Sequence, residues 1–252
     1  MGKIIAVVNQ KGGVGKTTTA VNLTAALHDL GLKVLLVDFD PQANASSGLG
    51  VDKRYIKRSV YDVIINGMET VRAIVSTKFG DVLPSNADLA GAGVELLSME
   101  NPNHRLAEAL KQVRDRYDVI FIDCPPSLEL LTLNGLSAAD GILVPVQCEY
   151  YALEGLSDLM STLRAVKRRI NPRLEIFGVA LTMFDGRTNF SNQVAEEVRR
   201  HFPGKVFGTV VPRNVRLAEA PSHGLPVTAY DKSSRGAKAY AALAEEVKSK
   251  LN

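Results

Sequence analysis

Cysteine is scarce in this chain, and long apolar runs do not occur in it. The sequence has 252 residues but only two cysteines, Cys124 and Cys148. They lie too far apart for a CxxC metal site, and we expect both to be buried thiols of a cytosolic protein. No stretch reaches the roughly 18 unbroken apolar residues that a membrane span requires. These absences argue against a disulfide-dependent secreted domain, an iron–sulfur protein and an integral membrane protein.

The positive charge of the chain lies in its C-terminal part. The formal net charge is +3 at pH 7. Residues 1–150 carry 14 Lys and Arg against 17 Asp and Glu, a net charge of −3, whereas residues 151–252 carry 16 against 10, a net charge of +6. A basic C-terminal part favours an anionic partner, and nucleic acid is one candidate. Charge alone leaves open whether these side chains are ordinary solvated helix faces.

Strand-like and helix-like segments alternate along most of the chain. The strand-like segments are rich in Val, Ile and Leu without polar alternation, as strands buried on both faces require. We expect strands at 4–9, 33–38, 119–123, 141–147, 174–182 and 205–211, and helices at 16–30, 103–116, 150–170, 188–202 and 233–250. The alternation predicts an α/β fold, with a mostly parallel twisted sheet flanked by helices on both faces. Because no repeat or long linker interrupts it, we expect residues 1–252 to form a single domain.

A glycine-rich segment follows the first predicted strand and opens the first predicted helix. It is close to the phosphate-binding loop G-x-x-x-x-G-K-[ST], and it reads Lys11-Gly12-Gly13-Val14-Gly15-Lys16-Thr17-Thr18. The first glycine of the pattern is replaced by Gln10, and Lys11 adds a second lysine. The glycines let backbone N–H groups approach phosphate oxygens, and the following helix presents its positive end to them. We therefore expect a nucleoside triphosphate here, with short helices and loops from residues 42–100 above it.

Polar side chains complete the predicted phosphate site. Lys16 is expected to reach the β- and γ-phosphates, and the Thr17 hydroxyl is expected to bind Mg²⁺. Asp123 ends an apolar strand at the sheet edge where open α/β sheets bind ligands, so we expect it to hold Mg²⁺ through water. Asp38 and Asp40 end the second strand, and one of them can orient the attacking water. The sequence thus predicts a Mg²⁺-dependent nucleoside triphosphate hydrolase of the P-loop type.

Several motifs together make the chain resemble one family. The glycine-rich loop resembles the deviant Walker A motif of the ParA/MinD ATPases. Asp38-Phe39-Asp40-Pro41-Gln42 resembles their Walker A′ segment, and Phe121-Ile122-Asp123-Cys124-Pro125-Pro126 resembles their Walker B motif. Asp185-Gly186-Arg187-Thr188-Asn189 and residues 211–224 resemble the chromosomal ParA branch, usually called Soj. The resemblance runs essentially from end to end.

The resemblance implies a role for each matching residue of the phosphate site. Lys11 is the signature lysine, which crosses to the partner subunit's nucleotide in an ATP-sandwich dimer, and Lys16 is the ordinary P-loop lysine. Asp40 positions the hydrolytic water, Thr17 binds Mg²⁺ and Asp123 supports the ion. A second ammonium near the γ-phosphate neutralises charge that otherwise opposes dimerisation around two triphosphates. The implied cofactors are ATP and Mg²⁺, and the implied homodimer forms with ATP and separates after hydrolysis.

The same resemblance implies the remaining contacts and the partners. Pro212 and Asn214 lie in the loop that contacts the base. Arg187 and Arg216 match family positions implicated in binding double-stranded DNA without sequence preference. The family implies a ParB/Spo0J-like centromere-binding partner that stimulates hydrolysis and so releases the DNA. The expected function is chromosome or plasmid segregation by a cytoplasmic, nucleoid-associated protein. The chain begins at the P-loop strand, so we expect no separate DNA-reading domain.

Three other functions compete with DNA partition. A MinD-like membrane regulator would end in a basic amphipathic helix, but residues 241–252 have mixed charge and no aromatic residue, so we expect a packed helix and no membrane contact. A nitrogenase-reductase-like metabolic ATPase would need cysteines to bridge a cluster. A GTPase would carry an Asn-Lys-x-Asp segment, whereas Thr182-Met183-Phe184-Asp185 occupies the place expected for it.

Overall fold

Within residues 2–127, 129–149 and 152–251, which the computed structural model describes, eight strands form one sheet. The strands are β1 (Lys3–Val7), β2 (Val34–Asp38), β3 (Val75–Thr77), β4 (Gly80–Leu83), β5 (Val119–Asp123), β6 (Gly141–Gln147), β7 (Glu175–Phe184) and β8 (Val206–Pro212). The α-helices are α1 (Lys16–Asp29), α2 (Asn44–Gly48), α3 (Val60–Ile64), α4 (Ala92–Leu97), α5 (Arg105–Lys111), α6 (Leu130–Ala138), α7 (Ala152–Arg169), α8 (Asn189–His201), α9 (Val215–Glu219), α10 (Val227–Tyr230) and α11 (Arg235–Leu251). Short 3₁₀ helices cover Lys53–Tyr55, Thr70–Arg72, Ala87–Ala90, Arg114–Arg116 and Ala220–His223.

The strand order places β1 beside the switch point of the sheet. The order is β3-β4-β2-β5-β1-β6-β7-β8, and every neighbouring pair is parallel except β3 and β4. After β1 the chain adds β2, β4 and β5 on one side of β1, and after β5 it crosses to the other side and adds β6. Ligands of open α/β sheets bind outside the carboxyl ends of the strands at such a point. The loop after β1 is therefore the position to examine for a ligand.

Two apolar clusters cover the two faces of the sheet. In β1, Ile4 and Ala6 belong to one cluster, and Ile5 and Val7 belong to the other. The alternation follows because successive strand side chains point to opposite faces. Helices α3 to α8 supply the first cluster, whereas α1, α2, α10 and α11 supply the second. The fold is thus the predicted mostly parallel α/β sheet with helices on both faces.

The segment 42–100 differs from the expectation. It holds short helices and loops, but it also contains β3 and β4, which extend the sheet beyond β2. Strands of three and four residues are too short to give a readable alternating pattern. Helix α6 was likewise not predicted. The predicted helix 150–170 corresponds to α7, which is described from Ala152 because residues 150 and 151 lie outside the described residues.

The C-terminal helix α11 packs on the body of the protein, as expected. Tyr240, Leu243 and Val247 are buried in it. The Tyr240 hydroxyl shares a hydrogen bond with the Thr19 hydroxyl on α1 at 3.1 Å. The Lys248 ammonium donates to the Leu30 carbonyl at 3.2 Å. Within the described residues, no helix combines the length and the apolar character that a membrane crossing needs.

Candidate nucleotide-binding site

The glycine-rich loop joins β1 to α1 at the carboxyl edge of the sheet. Gly13 and Gly15 have φ angles of +75° and +92°, which only glycine adopts at little cost. Between them, Val14 is buried, and its carbonyl accepts a hydrogen bond from the Thr182 hydroxyl at 2.8 Å. The loop is therefore anchored to β7, while Gly12 and Gly13 remain exposed. This is the shape of a backbone cradle for phosphate oxygens at a helix N-terminus.

Lys16, the first residue of α1, lies under this cradle. Its side chain is mostly buried, and its ammonium donates to the Lys11 carbonyl at 3.1 Å. Burial lowers the pKa of Lys16, and the nearby carboxylates of Asp123 and Asp40 act in the opposite direction. The Lys16 ammonium thus lies between the glycine-rich loop and the carboxylates, where it could contact a bound triphosphate.

Asp123, at the end of β5, is a buried carboxylate whose hydrogen-bonding capacity is unused. Neither of its oxygens has a hydrogen-bond partner within the part of the chain that the structure describes. Burial raises the pKa of Asp123 well above its ordinary value, and Asp38 raises it further. The Thr17 hydroxyl, which is close to the carboxylate without completing a hydrogen bond, and the Lys16 ammonium lower it. A buried carboxylate without hydrogen-bond partners is costly. Hard cations such as Mg²⁺ take oxygen ligands, so Thr17 and Asp123 fit a Mg²⁺ site.

The two other carboxylates have different surroundings. Asp38 is in register with Asp123 on the neighbouring strand. It is buried and accepts hydrogen bonds from the Ser46 amide and hydroxyl, each at 2.7 Å. Burial raises the pKa of Asp38 to about 6 despite these bonds. Asp40 is only partly buried and accepts from the Gln42 amide at 2.9 Å. Of the two aspartates, Asp40 is therefore the one accessible to a substrate water.

Lys11 has a partly exposed side chain at the start of the loop. Its amide donates to the Asn9 side-chain oxygen at 3.0 Å. Its ammonium lies 3.9 Å from Glu149 Oε2, and the Lys11 side chain is 36% exposed. The same Glu149 carboxylate also pairs with Arg213 at 3.2 Å. An exposed ion pair at this distance contributes little free energy, so the Lys11 ammonium can leave it at low cost.

A small cavity of about 240 Å³ adjoins the phosphate cradle. It brings Gly15 and Thr18 of the loop together with Pro212 and Asn214, the two residues expected near the base. The Asn214 side chain caps α9 by accepting from the Arg216 amide at 3.0 Å. The lining is mainly apolar, with few polar groups, as expected for a site that holds an aromatic ring.

Seven further residues of this cavity were not predicted as site residues, among them Thr182, Met183 and Tyr240. Met183 adopts a φ of +49°, an uncommon backbone conformation for a residue that is not glycine. The signal in the sequence was the segment 182–185, which stands where a base-reading segment would be expected. Tyr240 lies 58 residues further along the chain in the middle of a helix, and only the packing of α11 on α1 brings it here.

The two arginines expected to bind DNA are each held by acidic neighbours. Arg187 follows β7 and has a side chain that is 90% exposed, and its guanidinium contacts both Asp185 oxygens, at 2.9 and 2.8 Å. Arg216 is about half exposed and pairs with Glu219 at 2.8 Å and with Asp231 at 3.3 Å. Both arginines follow strands at the carboxyl edge that also carries the glycine-rich loop.

Arg187 also lines a second cavity, of about 600 Å³, that gathers positive charge. The other cations of its lining are Arg213, Arg235 and Lys238, and Asp185 is the acidic residue among the described lining residues. An anionic ligand is the partner that such a lining favours. Arg235 and Lys238, on the first turn of α11, were not singled out in the sequence.

Known proteins share both the sequence and the fold of this chain. Residues 2–176 match the family model of an AAA domain. The chain is 55% identical over 249 residues to the sporulation initiation inhibitor protein Soj of Bacillus subtilis, covering 98% of each chain. It is 51% identical to the chromosome partitioning protein ParA of Myxococcus xanthus, covering 98% of this chain and 88% of that one. The chain belongs to the Soj/ParA family of chromosome-partitioning ATPases. The enzyme class, a P-loop ATPase, follows from that membership.

Solved structures of related proteins hold nucleotide and metal. A cobyrinic acid a,c-diamide synthase from Mycobacterium smegmatis with bound ADP and magnesium is 39% identical, with a TM-score of 0.85 and coverage of 97% of this chain and 93% of that one. The septum site-determining protein MinD of Pyrococcus horikoshii, complexed with Mg-ADP, is 31% identical, with a TM-score of 0.81 and coverage of 98% and 96%. Both of these related structures thus hold ADP together with magnesium.

Proposed function

We propose that this Soj/ParA-family ATPase partitions DNA by binding it in an ATP-dependent dimer and releasing it after hydrolysis. The observation that carries the proposal is the assembly at one sheet edge of the phosphate cradle, the buried Lys16, the unsatisfied Asp123 and the partly exposed second lysine, Lys11. The high identity to Soj and ParA proteins over nearly the whole chain supports the biological process.

Hydrolysis at this site would use the chain's residues as follows. The loop residues Gly12, Gly13, Val14, Gly15 and Thr18 bind the phosphates, and Lys16 neutralises charge on the β- and γ-phosphates. Asp40 orients a water toward the γ-phosphorus, and the bond from that phosphorus to the bridging oxygen breaks to give ADP and phosphate. Thr17 and Asp123 would hold Mg²⁺, which supplies charge neutralisation when bound. Pro212 and Asn214 enclose the base.

Dimerisation is the proposed consequence of Lys11. This lysine is partly exposed, and its ammonium has one ion pair, a long one to Glu149, within the described residues. It can therefore reach a triphosphate bound to a second copy and neutralise charge there. Because the γ-phosphate is lost on hydrolysis, the same contact makes the dimer reversible.

Binding of double-stranded DNA would follow from the basic surface around Arg187 and Arg216. Arg187 shares its cavity with three further cations, and the dimer presents this surface twice. Contacts to phosphate carry no base information, so binding should be independent of sequence and should weaken steeply with salt. ATP should tighten binding because two linked surfaces bind with avidity.

The remaining parts of the proposal concern partners and location. A ParB/Spo0J-like protein would supply site specificity and stimulate hydrolysis, and binding to DNA would place the protein on the nucleoid in the cytoplasm. We also propose that residues 1–252 act as one domain, because a single sheet runs through the described residues. The buried apolar face of α11 does not favour a MinD-like membrane contact.

The proposal is tested by the ATPase rate of the full chain with duplex DNA and with its ParB-like protein, each alone and both together. We expect DNA and the ParB-like protein to stimulate hydrolysis synergistically. If DNA changes the ATPase rate under none of these conditions, the proposed role in DNA partition is contradicted, and only the assignment as an ATPase remains.

A further inference from the structure

A cavity of about 770 Å³ lies away from the nucleotide site. The cavity lies between the segment 50–58 and the segment 72–79, which contains β3. We call it the edge groove. Ile56, Ile74 and Phe79 form part of its apolar lining and are half-buried. None of the residues assigned to nucleotide, metal or DNA lines this groove.

The strand that lines the groove, β3, lies at the edge of the sheet. β3 is the last strand of the sheet and pairs with β4 only, so its other edge has no strand partner within the described residues. Val75 and Ser76 of this strand are exposed. An unpaired edge strand is a template on which an extended segment can add as a further strand, with specificity from side-chain pockets beside it.

Positive charge surrounds the edge groove. Lys57, Arg58, Arg72 and Lys78 are exposed lining residues. Asp52 is the acidic residue in the described lining, and it pairs with Arg54 at 2.7 Å. Lys57 and Lys78 have no ion-pair partner in the described part of the chain. A ligand seated here would therefore meet uncompensated cations above an apolar floor.

The charge selects among the possible occupants. Lysines near an edge strand oppose pairing with a second copy, because two copies would bring like charges together. The same lysines attract an acidic chain. A nucleic acid would find the cations but would not use an apolar floor or an unpaired strand edge.

We propose that the edge groove binds an extended acidic segment of a partner protein. The backbone of the segment pairs with the free edge of β3, its apolar side chains contact Ile56, Ile74 and Phe79, and its carboxylates face Lys57 and Lys78. The edge groove and the cavity beside the phosphate cradle have no lining residue in common.

Fluorescence anisotropy with a defined peptide tests this proposal on the full chain. The probe is a fluorescein-labelled eight-residue peptide of alternating glutamate and valine. We expect it to bind at least about 10-fold more tightly than the matching lysine–valine peptide. Methylation of alternate backbone nitrogens in the acidic peptide should also weaken binding at least about 10-fold, because it removes the strand-pairing donors.

Charge reversal locates the site. The double variant Lys57→Glu with Lys78→Glu should weaken binding of the acidic peptide at least about 10-fold. The control Lys167→Glu, an exposed lysine on α7, should leave it unchanged. Unchanged thermal unfolding and basal ATPase rate in the double variant would show that the fold and the nucleotide site are intact.

Other results would overturn the proposal. If the acidic and basic peptides bind equally well, charge does not select the ligand. If the methylated acidic peptide binds as tightly as the unmethylated one, the ligand does not pair with β3. Either result would contradict the proposal. If the double variant loses affinity for a 20-base-pair duplex while the acidic peptide binds neither protein, the groove is a nucleic-acid surface. If the double mutation abolishes concentration-dependent self-association of the wild-type chain, the groove is an interface between copies.

Discussion

Two buried aspartates at the same register position have different environments. Asp38 accepts two hydrogen bonds from Ser46, whereas neither oxygen of Asp123 has a partner within the described residues. The first aspartate stabilises the loop that leads into α2, and the second retains its hydrogen-bonding capacity for a ligand. Sequence alone placed both carboxylates at strand ends, but it could not say which one the protein itself satisfies, because Ser46 comes close only through the turn after β2.

The unsatisfied carboxylate predicts that Asp123→Asn stabilises the nucleotide-free protein. The substitution keeps the shape of the side chain and removes the charge whose burial is costly, so we expect a gain of about 1–3 kcal/mol in unfolding free energy at pH 7. The pKa of Asp123 is raised in the folded state. The wild type therefore loses stability as the pH rises above the ordinary aspartate pKa of about 4, and the gain should grow with pH.

Urea unfolding across pH 4 to 8 measures this effect. The matched control is Asp38→Asn, which should gain less because it disturbs two existing hydrogen bonds. The Asp123 variant should also lose the stabilisation that Mg²⁺ and ATP give the wild type. A less stable Asp123→Asn protein at pH 7 would show that the carboxylate has a structural partner.

The acidic neighbours of the DNA-binding candidates lead to a second prediction at this scale. Asp185 holds the Arg187 guanidinium through two contacts and so competes with a DNA phosphate for it. We expect Asp185→Asn to tighten binding to random-sequence duplex about 3- to 10-fold at low salt, with the difference shrinking as salt screens the charges.

A control substitution distinguishes a local effect on Arg187 from a general effect of the net charge on DNA affinity. Glu108→Gln removes an equal charge from the exposed Lys111 pair on α5 and should leave DNA affinity nearly unchanged. Filter binding or anisotropy at several salt concentrations provides the measurement. Equal effects of the two substitutions would show that Arg187 makes no particular contact with DNA.

At the scale of elements, the long buried strands could be predicted from the sequence, whereas the antiparallel pair β3 and β4 at the edge of the sheet could not. β5 and β6 coincide with the predicted segments because most of each strand is an apolar run that is buried on both faces of the sheet. β3 and β4 together have seven residues, and β3 is largely exposed, so neither composition nor periodicity marked them. Their place in the sheet depends on pairing between β4 and β2, which is a tertiary contact.

The turn into β4 predicts a specific requirement for glycine. Gly80 has a φ of +120°, and a Cβ there would lie 3.1 Å from a Thr24 methyl carbon and 3.2 Å from the Val34 carbonyl oxygen. We expect Gly80→Ala to lower the unfolding free energy by about 2–3 kcal/mol. Gly67→Ala, where φ is also positive but no atom lies within 4 Å, should cost only about 1 kcal/mol. Chemical denaturation of both variants tests this, and equal costs would show that contact at Gly80 is unimportant.

At the scale of the whole molecule, the groups proposed to act on nucleotide and DNA lie at one edge of the sheet. The glycine-rich loop, Asp40, Asp123, the cavity proposed to hold the base (the base cavity) and the two arginines all lie at or after the carboxyl ends of parallel strands. Motifs separated by some 200 residues in sequence therefore become neighbours through topology. The chain could be assigned to its fold and family from these motifs, whereas Tyr240 in the base cavity and the cations on α11 required the packed structure.

The central claim is that Lys11 completes a second copy's nucleotide site and so couples ATP to DNA binding. It is tested most directly by measuring mass and duplex binding of wild type and Lys11→Ala with a slowly hydrolysed ATP analogue and with ADP. The control is Lys111→Ala, another lysine paired with a glutamate. We expect wild type and the control to dimerise and bind DNA at least about 10-fold more tightly with the analogue than with ADP, and Lys11→Ala to do neither. Dimerisation and DNA binding by Lys11→Ala at the wild-type level would contradict the account.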